Sequence, residues 1–360
     1  KLCIMSIELI SVIVLFISFF GLLAYGVPVA YSIGISTTLT LILNIIFMPS
    51  VTTVAQRMTT GIDNFALLAI PFFILAGELM NRGGIATRLI DFAKSLIGSL
   101  PGGLAFVNII SAMLFGAISG SAIAAASAIG STLTDKMEKE GYPREFSAAV
   151  NISSSTTGLL IPPSNVLIIF ALASGGTASV AALFIAGYIP GILVGLALMI
   201  MVFIYAKRKR LPKAPWVGFK KLLIDFKNAF LSLTLLVIVV GGIVAGIFTA
   251  TEAAAIAVVY AALLGFLNRE LKFSDVRLIL LKSAKTTAIV MFLIATSMAM
   301  SWLFSFEGIP QMLTSSLLDN VSNPIIIFLL INLILLVVGT FMDMTPAVLI
   351  FTPIFLAAFV

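Results

Sequence analysis

Charged residues in this chain are confined to short clusters that are separated by long uncharged stretches. No Lys, Arg, Asp or Glu occurs between Glu8 and Arg57, from residue 95 to 134, or from residue 146 to 206. A helix needs about 20 apolar residues to cross the hydrocarbon core of a bilayer, so each stretch can hold one or two such helices. With 61% hydrophobic and 10% charged residues, the sequence predicts an all-α polytopic membrane protein.

Glycine, proline and charged residues divide the first half into segments. Gly26, Pro28 and Pro49 split the first apolar run, and the charges of residues 82–98 have the spacing of an amphipathic helix that lies in the membrane interface. We therefore expect a first repeat over residues 1–206, with scaffold helices in 4–80, an interfacial helix in 82–98, a hairpin in 101–134, a broken helix in 145–172 and a span in 178–206.

Two of these segments contain non-helical signals at membrane depth. Ser119-Gly120-Ser121 lies among small and hydroxylated residues, which suits a re-entrant hairpin as well as one long helix. Pro162 and Pro163 remove two backbone donors and disfavour the α conformation in the residue before each, so this helix must break. Irregular backbone is tolerated inside a membrane only where it is buried in protein or lines a cavity.

The second half repeats this pattern. Residues 158–170 align with residues 339–351, so that Gly158 coincides with Gly339 and Ser164 with Thr345. A broken helix in each half is typical of secondary transporters whose site lies between inverted repeats. The second repeat is expected over 230–360, with scaffold helices in 230–267, an interfacial segment in 269–285, a hairpin in 286–318, a broken helix in 323–352 and an incomplete C-terminal end.

Between the repeats lies a basic connector, residues 207–229. Eight of the 21 basic residues lie between Lys207 and Lys227, with the single acid Asp225. An excess of Lys and Arg marks cytoplasmic loops, so this connector is predicted to be cytoplasmic. Inverted repeats require an odd number of crossings between Lys207 and Lys285, whereas the sequence shows two clear ones.

Breaking a helix at the membrane midplane frees carbonyl oxygens for a cation and amide groups for an anion. The freed groups would lie at Gly158, Ile161 and Pro163, and Ser119 and Ser121 could add further oxygens. The alternative is that these residues only permit a kink and close helix packing.

Five consecutive hydroxyl residues, Ser153 to Thr157, precede the prolines. Two or three of them can face one partner, and the others are expected to bond to helix carbonyls. The candidate residues for a polar organic substrate are Ser121, Ser153, Ser154, Thr156 and Asn165.

Three acids require an explanation. Asp343 lies within the second broken segment, where an intramembrane carboxylate indicates function unless it is hydrated near an interface. Glu252 lies at a predicted turn between spans, and Glu78 could extend to the interface or pair with Arg82.

Several functions conflict with this composition. The chain has no histidine, its single Cys3 cannot form an internal disulfide, and its spans contain no close acid pair. It is therefore not expected to be an enzyme. Nucleic acid is not expected as a partner, because the basic residues lie between spans. An ion channel remains the alternative to a transporter, although it would need a charge ring or selectivity loop.

The chain resembles the large membrane subunit of tripartite ATP-independent periplasmic (TRAP) transporters along essentially its whole length. The motifs that carry the resemblance are residues 70–80, Leu100-Pro-Gly-Gly103, Phe115-Gly-Ala-Ile-Ser-Gly-Ser121, Ile161-Pro-Pro-Ser164, Ala186-Gly-Tyr-Ile-Pro-Gly191, Gly246-Ile-Phe-Thr-Ala-Thr-Glu-Ala253 and Glu307-Gly-Ile-Pro310. The resemblance implies sodium-coupled uptake of an organic acid across the bacterial inner membrane by an elevator-type motion. It also implies a small four-helix Q-type membrane subunit and a soluble P-type periplasmic binding protein as partners.

The resemblance also implies specific sites. A first sodium ion would be held by Ser119, Ser121, Gly158, Ile161 and Pro163, and a second by Ser301, Gly339, Met342 and Thr345, with Asp343 as a possible charge partner. The Asn165-Val-Leu stretch and Ser174-Gly-Gly-Thr177 are most similar to sialic acid transporters, some of which fuse the two membrane subunits. A start without Met would fit a chain cut from such a fusion.

Overall fold

A computed structural model describes residues 2–213, 215–309, 323–342 and 344–356. The α-helices are α1 (Leu2–Ala24), α2 (Val29–Asn44), α3 (Phe47–Ile62), α4 (Ala69–Arg82), α5 (Ile85–Ile97), α6 (Gly103–Ser119), α7 (Ala122–Lys139), α8 (Arg144–Ser155), α9 (Thr157–Leu160), α10 (Asn165–Ala173), α11 (Val180–Lys209), α12 (Phe219–Val244), α13 (Ala250–Leu267), α14 (Phe273–Phe306), α15 (Pro324–Phe341) and α16 (Met344–Leu356).

Five described helical segments are long and apolar enough to cross a membrane. They are Phe65–Arg82, which joins a 3-10 turn to α4, and the helices α11, α12, α13 and α14. A bent pair, Arg144–Leu160 with Asn165–Ala173, makes a sixth when it is counted as one span. Length and composition thus support the predicted polytopic membrane protein.

The chain divides into two compact units. The first comprises Lys1–Leu67, Ile169–Thr177 and Thr286–Val360. Its aliphatic and aromatic core includes Leu15, Ile33 and Leu303, all fully buried. Within this unit the side-chain amide of Asn44 donates to the hydroxyl oxygen of Ser11 at 2.8 Å and to the carboxylate of Glu307 at 2.7 Å.

The second unit comprises Leu68–Ile168 and Ala178–Lys285. Helix α13 packs along α4 with an alanine-rich face. Small residues such as alanine let the two helix backbones approach closely. Helix α6 is buried along most of its length and contacts α5, α7, α8, α9 and α11. These contacts fix one arm of the expected hairpin inside the unit.

In the central part of the first half, α6 and α7 cover the expected hairpin segment 101–134, and α7 continues to Lys139. The alternative of one long helix across Ser119-Gly120-Ser121 is wrong, since α6 and α7 are two arms that pack against each other. A break at residues 161–164 separates α9 from α10, and the two parts of the span are bent by 50°. Helix α5 covers most of the expected interfacial segment 82–98, and its apolar face packs against α6 and α12.

The scaffold segment 4–80 does not consist of apolar helices alone. It contains a further amphipathic helix, α3, that the sequence did not reveal. Pro49 suggested the end of an apolar helix, but it lies in the first turn of α3. A missing N–H costs little in that turn, because the N–H groups there have no intrahelical partner.

Two boundaries in the second half also need correction. Helix α12 already begins at Phe219, just after Gly218, so that the last part of the connector 207–229 is helical. The interfacial segment 269–285 and the start of the hairpin 286–318 belong to one continuous helix, α14, because no Gly or Pro interrupts residues 273–306. Only α12 and α13 lie wholly between Lys207 and Lys285 in the described chain, so the structure reveals no hidden crossing there. The inverted repeat stays a prediction.

Candidate ion and substrate site

The tip of the first hairpin touches the backbone of the broken helix. Gly120 ends α6 with a φ of 60°, a left-handed conformation that side chains rarely adopt. A Cβ atom at Gly120 would lie 2.9 Å from the carbonyl oxygen of Pro163 and 3.3 Å from the backbone nitrogen of Asn165. The absence of a side chain therefore lets the hairpin tip approach the break directly.

A second glycine contact holds the arm of the hairpin against α9. A Cβ atom at Gly158 would lie 2.6 Å from the Cα atom of Gly116, which is closer than real Cβ contacts. Helices α6 and α9 consequently meet backbone to backbone. Gly158, expected at the first sodium site, contributes here by its lack of a side chain.

The hydroxyl groups around the tip form hydrogen bonds within the hairpin and across the break. The hydroxyl of Ser119 points at the carbonyl of Ser121 at 3.5 Å, the outer limit of a hydrogen bond. The Ser121 hydroxyl oxygen caps α7 by accepting the N–H of Ala124 at 3.3 Å. Across the break, the Ser164 hydroxyl donates to the carbonyl of Leu159 at 2.5 Å.

The break supplies neutral oxygens in a buried setting. Ile161, Pro162 and Pro163 are buried, and neither proline has an N–H to donate. The N–H of Ile161 still bonds to the carbonyl of Thr157 at 2.9 Å. The structure thus brings Ser119, Ser121 and Pro163 together around Gly120, while Ile161 closes the preceding helical turn.

Most of the hydroxyl row bonds to its own helix, which confirms that prediction. Ser155, Thr156 and Thr157 each donate to a carbonyl three or four residues earlier, at 2.6 to 2.7 Å. Ser153 and Thr156 are exposed, whereas Ser154 is buried. Of the candidate substrate residues, Ser153 and Ser154 therefore lie on different faces of α8.

Asn108 and Asn151 form a buried polar cluster that sequence reasoning missed. The Ser154 hydroxyl donates to the Asn108 side-chain oxygen at 2.8 Å, and the Asn108 amide donates to the Asn151 side-chain oxygen at 3.4 Å. The Asn151 amide in turn donates to the carbonyl of Ala126 at 3.0 Å, so the cluster connects α6, α7 and α8. The sequence signal for this cluster was Asn108, an amide side chain in the middle of the mostly apolar α6.

Asn165 is not part of this hydrogen-bonded cluster. It is half-buried at the start of α10, and its side-chain oxygen is inaccessible to solvent and has no hydrogen-bond partner among the described residues. A buried acceptor without a donor costs free energy, so a donor from a ligand or a water would stabilise this oxygen.

The residues expected at the second sodium site lie in the first unit. Ser301 and Thr345 are half-buried, Gly339 is exposed, and Met342 occupies the break between α15 and α16 with an extended backbone. The described contacts do not bring Ser301 to the other three residues. Asp343 lies outside the described residues.

Gly339 and Met342 border an apolar cavity of about 680 Å³. Its other walls include Phe170, Ile331, Leu335, Phe351 and Phe355. The part of the chain that the structure describes contains no group of three or more Cys, Asp or Glu residues that could hold a metal ion.

Two acids outside the site, Glu78 and Glu252, have structural partners. Glu78 pairs with Lys282 at 2.9 Å, not with Arg82, which lies 3.9 Å from Asp275. Glu252 forms a capping box with Thr249 at the start of α13, as its predicted place at a turn indicated. Neither acid faces the hairpin tip through these contacts.

Tyr142 helps to position the start of α6. Its phenol oxygen accepts the N–H of Leu104 at 3.3 Å. Burial, reinforced by Glu140, raises the pKa of Tyr142 to about 12, although the bond from Leu104 acts in the opposite direction. The phenol therefore stays neutral at physiological pH.

A family model described as the tripartite ATP-independent periplasmic transporter, DctM component, matches residues 16–360. The chain belongs to this family. The DctM family consists of transporter permeases, so the protein is a multi-pass membrane permease and not an enzyme. The resemblance to TRAP large subunits is thereby confirmed.

Relatives of this DctM-family chain match most of its length. It is 50% identical over 345 residues to the uncharacterized protein YgiK of Salmonella typhimurium, covering 96% of this chain and 79% of that protein. It is 41% identical to the C4-dicarboxylate TRAP transporter large permease protein DctM of Pseudomonas aeruginosa, covering 90% and 75%. It is 39% identical to the sialic acid TRAP transporter large permease protein SiaM of Vibrio cholerae, covering 92% and 77%.

Proposed function

We propose that this DctM-family chain is the permease of a sodium-coupled system that takes up an organic acid across the bacterial inner membrane. A soluble periplasmic binding protein delivers the substrate, and a small four-helix membrane subunit, separate or fused to this chain, completes the transporter. The family match supports this assignment. In the elevator-type mechanism, one part of the permease carries the site across the membrane, and the two inverted repeats supply its paired motifs.

The observation that carries sodium coupling is the contact between Gly120 and the Pro163 carbonyl. It gathers neutral oxygens from Ser119, Ser121 and Pro163 at a break where two consecutive residues lack an N–H. Sodium prefers oxygen ligands, and neutral ligands bind it without a titrating group. Coupling to protons requires a titrating group, and no Asp or Glu occurs from residue 95 to 134 or from residue 146 to 206.

We assign the first sodium ion to Ser119, Ser121, Gly158, Ile161 and Pro163. The second sodium ion is assigned by the alignment of the broken helices to Ser301, Gly339, Met342 and Thr345, with Asp343 as a charge partner. The extended backbone of Met342 supports the second assignment, because it breaks the helix at the position equivalent to Ile161.

The proposed substrate is sialic acid. Ser121, Ser153, Ser154, Thr156 and Asn165 are the substrate candidates, and polar neutral groups suit a polyhydroxylated acid. No Lys or Arg occurs in the hairpin from residue 101 to 134 or in the broken helix from residue 146 to 172, so a second carboxylate would lack a counter-ion there. The similarity to a sialic acid permease of Vibrio cholerae fits this proposal.

A C4-dicarboxylate is the second candidate substrate. The relative in Pseudomonas aeruginosa is named for C4-dicarboxylates and is 41% identical. The two candidates differ in charge, since the dicarboxylate carries one more negative charge that must be neutralised.

Uptake into proteoliposomes tests both parts of this proposal. The permease is reconstituted with its small subunit, and purified binding proteins for sialic acid or for a C4-dicarboxylate are added outside. We expect uptake only with an inward sodium gradient and with the sialic acid binding protein. Equal uptake driven by a proton gradient in sodium-free buffer would refute sodium coupling, and uptake only with the dicarboxylate protein would refute the substrate assignment.

A further inference from the structure

The segment from residue 207 to 230, here called the basic segment, exposes a purely positive set of side chains. Its basic residues are all exposed, namely Lys207, Arg208, Lys209, Arg210, Lys213, Lys220, Lys221 and Lys227. Its only acid, Asp225, is 3% exposed. The Asp225 carboxylate bonds to Lys221 at 2.7 Å and accepts a hydrogen bond from Ser95. The carboxylate therefore offsets the charge of Lys221 alone, and seven exposed basic side chains remain without an acid from this segment.

The basic segment is held against the second unit at three points. Leu211 is buried in a core cluster that contains Leu104 and Tyr142. The carbonyl of Pro212 accepts the N–H of Gly102 at 3.1 Å. In α12, the Phe226 ring lies 5.6 Å from the Phe92 ring of α5. These contacts fix the backbone that carries the charges, so the positive surface is part of the fold.

Large apolar side chains are exposed beside these charges. Trp216 is 65% exposed and Phe219 is 69% exposed. Along α12, Lys220, Leu223 and Lys227 follow at spacings of three and four residues, and all three are exposed on one face. The opposite face, with Asp225, Ala229 and Ser232, is buried.

Alternation of cations and apolar side chains on one surface suits the boundary between lipid headgroups and acyl chains. Aromatic rings prefer the headgroup level, and lysine can bury its stem while its ammonium group reaches a phosphate. In water the same exposed Trp216, Phe219 and Leu223 would be unfavourable, so a soluble polyanion fits this surface less well. The eight exposed cations outnumber the exposed acid Asp91, which acts on Lys221 from α5, and this excess of positive charge favours a lipid with net negative charge.

We infer that the basic segment is a binding site for anionic phospholipids of the bilayer. The lipid phosphate contacts Lys220 and Lys227, and the upper acyl chain packs on Trp216, Phe219 and Leu223. Each basic side chain near the membrane surface increases the affinity for an anionic lipid, relative to a neutral lipid, by about fivefold.

Tryptophan fluorescence in vesicles measures this preference directly. The chain has two tryptophans, Trp216 and Trp302, so Trp302→Phe leaves Trp216 as the only reporter. The protein is reconstituted in phosphatidylcholine vesicles that contain either phosphatidylglycerol or phosphatidylcholine with brominated acyl chains, which quench nearby tryptophan. We expect brominated phosphatidylglycerol to quench Trp216 with an apparent affinity at least about fivefold higher than that of brominated phosphatidylcholine.

Charge variants separate this site from a general attraction to the membrane. Lys220→Gln combined with Lys227→Gln should reduce the preference to about twofold or less, whereas Lys272→Gln combined with Lys285→Gln removes the same charge elsewhere and should leave it unchanged. In roughly 0.5 M NaCl, where screening shortens to a few ångströms, the preference should fall even without these variants. Equal quenching by the two lipids, or a preference that survives both the lysine changes and high salt, would overturn the assignment.

Discussion

Gly120→Ala tests whether the contact between the hairpin and the break forms the sodium site. The new side chain must adopt a φ of 60°, which costs about 1–2 kcal/mol. Its Cβ would also lie 2.9 Å from the Pro163 oxygen, about half an ångström inside normal contact. The tip and the break must therefore separate. Since a displacement of about 1 Å in a functional site can cost 100-fold, we expect the sodium concentration for half-maximal uptake to rise about tenfold.

Gly141→Ala is the matched control for this prediction. Gly141 has a φ of 88°, but a Cβ atom there would meet nothing within 4 Å. Both variants carry the left-handed strain, and only Gly120→Ala pushes on a neighbour. Sodium-dependent uptake in proteoliposomes and thermal unfolding in detergent are measured for both. If Gly120→Ala lowers the unfolding temperature as Gly141→Ala does but leaves the sodium dependence unchanged, the contact serves packing alone.

Three further predictions concern hydroxyl and carboxylate groups. Ser154→Ala removes the donor to Asn108 and should lower the free energy of unfolding by about 1 kcal/mol, while Ser153→Ala at an exposed position should change it by less than about 0.5 kcal/mol, as measured by thermal unfolding in detergent. Glu252→Ala breaks the capping box of α13 and should cost about 1 kcal/mol in the same assay, with uptake retained at low temperature. Ser119→Ala should raise the sodium concentration for half-maximal uptake several-fold with little loss of stability, and a change in expression alone would contradict its assignment to the ion site.

The central architecture of the first half could be predicted because its breaks are local. Two prolines forbid a continuous helix whatever surrounds them, and the small residues at Ser119-Gly120-Ser121 allow a turn in apolar surroundings. Helix α3 could not be predicted in the same way, because a proline is acceptable in a first turn and excluded only from a helix interior. The continuous α14 was missed because a change from charged to apolar residues resembles a boundary, although it does not interrupt helical hydrogen bonds.

The helix break at the candidate site could be predicted from the sequence, but the side-chain partners around it could not. The Pro162-Pro163 pair indicates free carbonyls by itself. The pairing of Asn108 with Asn151 and Ser154 depends on how α6 packs against α8, which residues far apart in sequence decide. The pairing of Glu78 with Lys282 instead of the nearby Arg82 has the same cause.

The hydrogen bonds within the hydroxyl row also determine whether its hydroxyl groups can donate or accept hydrogen bonds with a ligand. A hydroxyl group has one proton, and Ser155, Thr156 and Thr157 direct theirs to their own helix carbonyls. Only lone pairs remain for a neighbouring molecule. A carboxylate needs donors, so it gains nothing from these three groups. Of the three residues only Thr156 is exposed, since Ser155 and Thr157 are buried. The Thr156 hydroxyl could instead accept a hydroxyl or amide proton of the proposed sugar acid, which would orient a neutral group of the substrate toward this helix and its charged end toward bound cations.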